Sequence, residues 1–356
     1  MRTSLSPAPP VPRGRAATVG RWFGRVGDDT DRREVTQSSL ACAVAIPVAF
    51  VIADRVIGDP QVTLFAVFGG FAVLLNTRFH GPTRVQIGGY VALAATGCLT
   101  ISAGTVLAQP IWVAGATMLV ASAAVLVAAT RSDWAAGAKR ALMVTLVLPL
   151  TVHADPSVIP QRLLGWVVAF ATCAPFAVLL ARRGHPGRSA PHQPDTTVAW
   201  RDGVRAAAAL ALAVVAADLA RLEHSFWIVL ATLAAIGSTA VGTVQSAGRA
   251  ALGTVLGFAA AVLVLMLGTG GVLWLVFPFV VFLAAYAPGA ISFVGGQAAF
   301  TLMIVILFNL LHPIGWRVGV VRVEDVLLGC AVAVIVAALL WPRTRHPDPD
   351  EMIGPR

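Results

Sequence analysis

Long apolar runs alternate with short polar breaks along most of this chain. A transmembrane helix needs about 20 apolar residues to cross the lipid core, and most of the runs approach that length. The pattern therefore predicts an all-α polytopic membrane protein with about twelve transmembrane helices. The runs cover residues 38–58, 62–76, 85–108, 111–130, 135–152, 163–181, 204–222, 225–241, 250–268, 272–289, 293–311 and 326–341.

The second and eighth runs are short and end in Gly, Thr or Asn. Short spans rich in small residues are typical of the broken or re-entrant helices of transporters. They are equally typical of ordinary helices whose ends extend beyond the apolar run. The sequence leaves both interpretations open.

Two motifs recur at nearly the same spacing in the two halves of the chain. Arg-x3-Gly begins at Arg84 and again at Arg249, and Leu-Leu-Gly ends at Gly165 and again at Gly329. These offsets predict duplication of a six-helix unit. Because six is an even number, both copies start from the same side of the membrane, which predicts parallel repeats about an axis along the membrane normal.

The repeat defines the predicted domain organisation. A disordered cytoplasmic tail (1–35) precedes the first six-helix repeat (36–182), and a cytoplasmic linker (183–203) joins it to the second (204–343), which a short cytoplasmic tail (344–356) follows. The linker is too short and too rich in proline and charge to fold alone.

Composition and charge placement agree with a membrane protein. The chain is 57% hydrophobic and 12% charged, against about 25% charged residues in soluble domains. Its net charge of +9 does not indicate nucleic acid, because the basic residues collect on one side of the predicted topology. With the N-terminus inside, 21 of the 26 basic residues face the cytoplasm, which predicts a multi-pass protein of the cell inner or plasma membrane with both termini cytoplasmic. Five fall outside: Arg55, Arg162, Arg221, Arg317 and Arg322.

No pattern in the chain predicts catalysis, a metal or a cofactor. There is no nucleophile motif, phosphate loop or zinc motif, and the four cysteines lie in apolar runs without CxxC spacing. The glycines instead predict helix packing: Gly253 and Gly257 lie four residues apart, so one helix face is bare enough for another backbone to approach closely.

Three motifs in the last 140 or so residues resemble a known family. The pair Phe226–Trp227 precedes a small-residue stretch and then Arg-x3-Gly-Thr-x2-Gly from Arg249. Residues 322–329 (RVEDVLLG) and 339–343 (LLWPR) follow. This order resembles the fusaric-acid-resistance-like family of aromatic acid exporters.

The resemblance implies a secondary transporter of the lipid bilayer that exports small organic anions, aromatic carboxylates among them, with coupling to protons. A passive anion channel is a second possibility, since plant malate channels are remote relatives of the family. A non-transporting scaffold is a third. The resemblance is also compatible with a homo-oligomer.

Two acidic residues at membrane depth are candidates for proton coupling. Asp218 lies near the end of the seventh run, and Asp54 lies near the matching position of the first. A charge at membrane depth needs a partner or water. Each aspartate either carries a coupling proton or forms an ion pair at the outer interface, Asp218 with Arg221 and Asp54 with Arg55.

Basic, aromatic and amide residues complete the candidate site. Arg249 and Arg84 are predicted at helix N-termini on the cytoplasmic face, where they would bind an anion or snorkel to the membrane surface. His224 could titrate near neutral pH or be structural. Trp227 is either part of an interfacial aromatic belt or a stacking platform for a substrate. Gln297 either links helices or contacts a ligand.

Overall fold

The computed structural model describes residues 29–79, 81–183, 196–219, 226–237, 239–268 and 270–340, and within these ranges it contains no β-strand. Twelve α-helices account for most of them. They are α1 (Asp29–Val51, continued by a π-helical segment, Ile52–Ile57), α2 (Pro60–Leu74), α3 (Thr83–Val106), α4 (Ile111–Arg131), α5 (Asp133–Thr151), α6 (Ile159–Arg183), α7 (Thr196–Leu219), α8 (Phe226–Ala235), α9 (Ala240–Leu267), α10 (Gly271–Ala290), α11 (Phe293–Leu311) and α12 (Arg317–Leu339).

Seven helical spans of the described chain are long and apolar enough to cross a membrane. This confirms an all-α, multi-pass membrane protein. Twelve crossings and the two-repeat arrangement remain predictions. The seven spans are Arg32–Ile57, Thr83–Val106, Ile111–Arg131, Pro156–Leu180, Ala240–Leu267, Gly271–Ala290 and Phe293–Leu311.

Helices α2 and α8 are each too short to cross the lipid core by their helical length alone. They have 15 and 10 residues, which is about 22 and 15 Å at about 1.5 Å per residue, against a core of about 30 Å. Most of their side chains are buried. For the second and eighth apolar runs, the structure therefore favours broken or re-entrant helices over ordinary helices that extend beyond the run.

Several helices begin well before their apolar runs. The helix α1 begins at Asp29, α7 at Thr196 and α12 at Arg317, whereas the predicted runs began at 38, 204 and 326. The ends of the predicted tail and of the predicted linker are thus helical. The reason is that an apolar run marks only the part of a helix that meets lipid or protein, whereas backbone hydrogen bonding continues through the polar residues before it.

Corresponding helices of the two halves have similar neighbours. In the first half α2 packs on α6, α3 on α5 and α6, and α4 on α5; in the second half α8 packs on α12, α9 on α11 and α12, and α10 on α11. The halves meet where α4 contacts α7 and α1 contacts α10. These pairings support the proposed duplication.

The packing of α9 against α11 depends on the two glycines selected from the sequence. A Cβ atom on Gly253 would lie 2.6 Å from Cβ of Gln297, and one on Gly257 would clash with the carbonyl oxygen of Ala298. The prediction of a bare face for close helix approach is confirmed. The matching position in the first half differs, because Gly88 is exposed and a Cβ there would meet nothing within 4 Å in the described chain.

Glycines also allow the short helices α2 and α8 to pack closely against neighbouring helices. A Cβ atom on Gly165 of α6 would clash with the carbonyl oxygen of Val62 in α2, and one on Gly329 of α12 would clash with that of Ile228 in α8. The backbones therefore approach closely in both pairs. This fixes the first turn of each short helix against the long helix that carries the glycine.

Candidate functional site

A cluster of buried aromatic rings lies where α2, α8 and α11 meet. The ring of Phe68 is 5.7 Å from those of both Phe226 and Trp227, and Trp227 is 6.3 Å from Phe300, which is itself 6.1 Å from Phe71. Only 1% of the Trp227 side chain is exposed. The interpretation of Trp227 as part of an interfacial aromatic belt is therefore wrong, because α8 is packed inside the bundle.

The guanidinium group of Arg322 lies over this aromatic cluster. Its Cζ atom is 4.0 Å from the centre of the Trp227 ring and 5.5 Å from that of Phe300. Arg322 is 3% exposed, and its Nε and Nη1 atoms have no hydrogen-bond partner in the described chain. A cation over aromatic faces is stabilised by about 2 kcal/mol when it is desolvated, but the ring faces leave these N–H groups unsatisfied.

One turn further along α12, Asp325 is also buried. It is 1% exposed, and its Oδ2 atom has no hydrogen-bond partner in the part of the chain that the structure describes. Residues three apart share a helix face, yet Asp325 and Arg322 make no ion pair with each other among the described residues. A buried charge without a partner is strongly unfavourable. The pair is thus an incompletely satisfied polar site in an apolar interior.

Arg162 in the first half is the opposite case. It is fully buried, and its Nε donates to Oε1 of Gln61 at 3.0 Å, its Nη1 to Oγ1 of Thr105 at 2.9 Å, and its Nη2 to the carbonyl oxygen of Val152 at 2.7 Å. All three nitrogens are used. Arg162 therefore links α2, α3 and the end of α5 to α6 and has a structural role.

Arg162 and Arg322 precede apolar runs in the sequence, yet both side chains are buried inside the bundle. Their predicted place on the outer side of the membrane stays a prediction. Sequence reasoning did not select Arg322 as a site residue. The available signal was its place in the motif that carries the family resemblance, with Asp325 one turn later on an otherwise apolar helix.

The two arginines predicted at helix N-termini lie in different positions. Arg84 is the second residue of α3 and is exposed, as predicted. Arg249 lies in the third turn of α9, whose N-cap is Thr239. The N-terminal anion site at Arg249 is therefore wrong, because the small residues before it continue the helix. The Sγ atom of Cys330 contacts the carbonyl oxygen of Ala247 at 3.5 Å, which places this part of α9 beside α12.

The two aspartates at membrane depth have identifiable partners. Asp54 forms an ion pair with Arg55, at 3.2 Å between Oδ2 and Nε, as the ion-pair interpretation predicted. Asp218 lies 3.6 Å from Nε2 of His153. Its predicted partner, Arg221, lies outside the described residues. His153 belongs to the first half, so no local pattern could have indicated it.

The remaining candidates are placed only in part. His224 lies outside the described residues. Gln297 is half-buried on α11 with its Cβ atom against Gly253, which places it at a helix–helix contact. Among the described residues, Trp227 is the one predicted candidate that belongs to the aromatic cluster.

These features define a multi-pass, all-α membrane protein with a buried cationic site among aromatic rings. Residues 211–336, from α7 to α12, match the family model described as fusaric acid resistance protein-like. This confirms the family resemblance over those residues, which include Trp227, Arg322 and Asp325. No curated protein and no solved structure matched the chain. The family match points to a transporter-type membrane protein.

Proposed function

We propose that this protein is a secondary transporter that exports small organic anions, aromatic carboxylates among them, with coupling to protons. One observation carries the proposal: a buried arginine, Arg322, lies over the Trp227 and Phe300 rings with N–H groups that have no partner among the described residues. A guanidinium binds a carboxylate through two parallel hydrogen bonds. The neighbouring rings offer an apolar surface on which an aromatic substrate would pack.

The other arginines of the bundle suit this role less well. The donors of Arg162 are already used in the protein. Arg205 donates to Oδ1 of Asp202 at 3.1 Å and to the carbonyl oxygen of Gly237, just beyond the end of α8. The exposed Arg84 is placed to attract anions to one end of the bundle rather than to hold them.

Access to Arg322 requires movement of α8. The site is closed, since Arg322 is 3% exposed. The helix α8 is held to α12 by the Thr232 hydroxyl, which donates to the carbonyl oxygen of Gly329 at 2.9 Å, and to α7 by Arg205, which donates to the carbonyl oxygen of Gly237 just after the C-terminal end of α8. A short helix fixed at a few points beside a central site is the arrangement that discontinuous transporter helices use. We assign α8 as the element that uncovers the site.

The test measures transport by the purified full chain in liposomes. The probe is radiolabelled 4-hydroxybenzoate, and efflux is compared with and without unlabelled acid on the other side. Arg322→Gln is compared with Arg322→Lys and with Arg317→Gln, which removes an exposed arginine from the same helix. Loss of a charge-assisted contact is worth about 1.5–3 kcal/mol, or roughly ten- to a hundredfold in affinity. Arg322→Lys should retain part of the affinity, because lysine keeps the positive charge but lacks the paired N–H donors of the guanidinium group.

Each outcome separates the candidate functions. If unlabelled acid on the other side accelerates efflux, the protein is a carrier. If efflux occurs without this acceleration, the protein is a passive anion channel. Absence of efflux for aromatic and aliphatic acids alike would leave the non-transporting scaffold. If Arg322→Gln matches the unsubstituted protein, the substrate site lies elsewhere.

We also propose that both termini and the 183–203 linker are cytoplasmic. The asymmetry of 21 basic residues on one predicted side against five on the other supports this. A cysteine introduced at Ser189 of a chain without its native cysteines should react with an impermeant thiol reagent only after the cells are permeabilised. Labelling in intact cells would reverse the proposed orientation.

A further inference from the structure

The two buried, unsatisfied charges of α12 form one site. Arg322 and Asp325 lie one turn apart on the same helix, at 3% and 1% exposure, and each has side-chain atoms without a partner in the described chain. Opposite charges so placed would ordinarily pair with each other. Their charges attract each other, but among the described residues they make no ion-pair contact, so both have polar atoms left to bind an anion and a proton.

We propose that Asp325 takes up one proton whenever Arg322 binds one substrate carboxylate, so that anion and proton cross the membrane together. This inference rests on the proposed function and specifies its coupling. The proton binds to a carboxylate oxygen of Asp325 from water on one side and leaves from the same oxygen on the other. Only that O–H bond forms and breaks, and the substrate is not altered.

Charge balance in the buried site is the physical reason. An empty site with ionised Arg322 and Asp325 is neutral. Binding of a substrate anion alone would leave two carboxylates sharing one guanidinium, and like charges at close range favour protonation of one of them. Protonation of Asp325 restores neutrality, and the resulting O–H can donate to the bound carboxylate. Loaded and empty sites therefore carry the same charge across the membrane.

The groups around Asp325 include no other buried carboxyl group beside Arg322 in the described chain. The helices α8 and α11, which pack against α12, carry no titratable or charged side chain. The carboxyl of Glu324 is exposed. On α7, Asp202 pairs with Arg205, and Asp218 pairs with His153 of the first half. The other titratable or charged groups on the helices packed against α12, and on α12 itself, are Arg201, Arg249, Arg317 and Cys330.

Electroneutral transport has a measurable consequence. The direction of flux follows the combined gradients of anion and proton, so a cell that accumulates the anion exports it with a proton. A pH difference should change the rate, whereas a membrane potential should not, because no net charge crosses. A carrier of the anion alone would show the reverse dependence.

The experiment uses full-length protein in liposomes with a pH-sensitive dye inside and radiolabelled 4-hydroxybenzoate as the probe. A potassium gradient with valinomycin sets the membrane potential. Flux in liposomes with Arg322→Gln is subtracted, because the undissociated acid also crosses lipid alone. We expect about one proton for each anion by charge balance, and the same rate with or without the potential.

Asp325→Asn tests the assigned residue, and Glu324→Gln is the matched control. Asparagine mimics the protonated acid permanently, so exchange of labelled for unlabelled anion should persist. Net efflux should fall about tenfold or more, because the empty carrier must return with a buried positive charge that no carboxylate compensates. Glu324→Gln should behave like the unsubstituted protein. If Asp325→Asn fails to fold, the proton-to-anion ratio of the unsubstituted protein still decides whether a proton crosses with the anion.

The failures of this inference and of the proposed function differ. Anion flux that follows the membrane potential without proton movement would overturn proton co-transport. It would not contradict the proposal that the protein is a transporter. Unchanged net efflux in Asp325→Asn would overturn the assignment of Asp325. Absence of any carrier-mediated flux in the unsubstituted protein would overturn the proposed function itself.

Discussion

Replacing Arg162 by glutamine and replacing Arg322 by glutamine should affect stability and transport in opposite ways. The change is chemically the same in both: a buried guanidinium becomes a smaller neutral amide. What differs is the surroundings, since Arg162 donates hydrogen bonds from every nitrogen whereas Nε and Nη1 of Arg322 have no partner in the described chain. The comparison therefore separates a structural arginine from a binding one.

The magnitudes follow from these surroundings. Breaking the buried network of Arg162 should cost about 3–5 kcal/mol in the free energy of unfolding, because its acceptors lose a charged donor. Replacing Arg322 removes cation–π contacts worth about 2 kcal/mol. It also replaces unsatisfied charged N–H groups, each of which costs about 1–3 kcal/mol or more, by a neutral amide that is less costly to bury. These terms offset each other, so we expect the stability of Arg322→Gln to change little.

Thermal unfolding in detergent, followed by size-exclusion chromatography, measures this difference. One kcal/mol shifts Tm by about 2–4 °C in proteins of moderate size, so Arg162→Gln should lower Tm by about 10 °C and Arg322→Gln by about 3 °C or less. Transport should be lost in Arg322→Gln, and Arg317→Gln serves as the exposed control. If Arg322→Gln destabilises the protein as much as Arg162→Gln, both arginines are structural and the reasoning for the binding site is refuted.

Three further predictions concern other parts of the bundle. Gly257→Leu should lower Tm, because overpacking of this helix contact costs about 1–3 kcal/mol or more, whereas Gly88→Leu should be tolerated at its open position; equal losses would contradict the packing argument. If Arg249 captures the anion before it crosses, Arg249→Gln should raise the half-saturating substrate concentration about tenfold, with partial recovery in Arg249→Lys; coinciding efflux curves would leave it a membrane-anchoring charge. Asp218→Asn should change stability by about 1 kcal/mol or less, because both partners of the pair with His153 are partly exposed; it should also leave the proton-to-anion ratio unchanged, and a lost ratio would move proton coupling from Asp325 to Asp218.

The helical, multi-pass architecture and part of its packing could be predicted from the sequence. Apolar length and composition report directly on whether a segment can be in lipid. The short second and eighth runs, and the bare face formed by Gly253 and Gly257, were equally readable, because helix length and side-chain size are local properties. The family motifs of the second half were recognisable for the same reason.

The burial of the charged side chains and their contacts follow from how the helices pack, which the sequence does not show. Arg162 reaches a hydroxyl 57 residues away in sequence, at Thr105, and Arg322 lies on a ring that another helix supplies. Local hydropathy places a charge near the end of a helix, but it cannot tell whether that charge faces water, lipid or a neighbouring helix. That depends on contacts between helices far apart in the chain. The same contacts separate an arginine whose hydrogen bonds are all made from one that is left to bind a ligand.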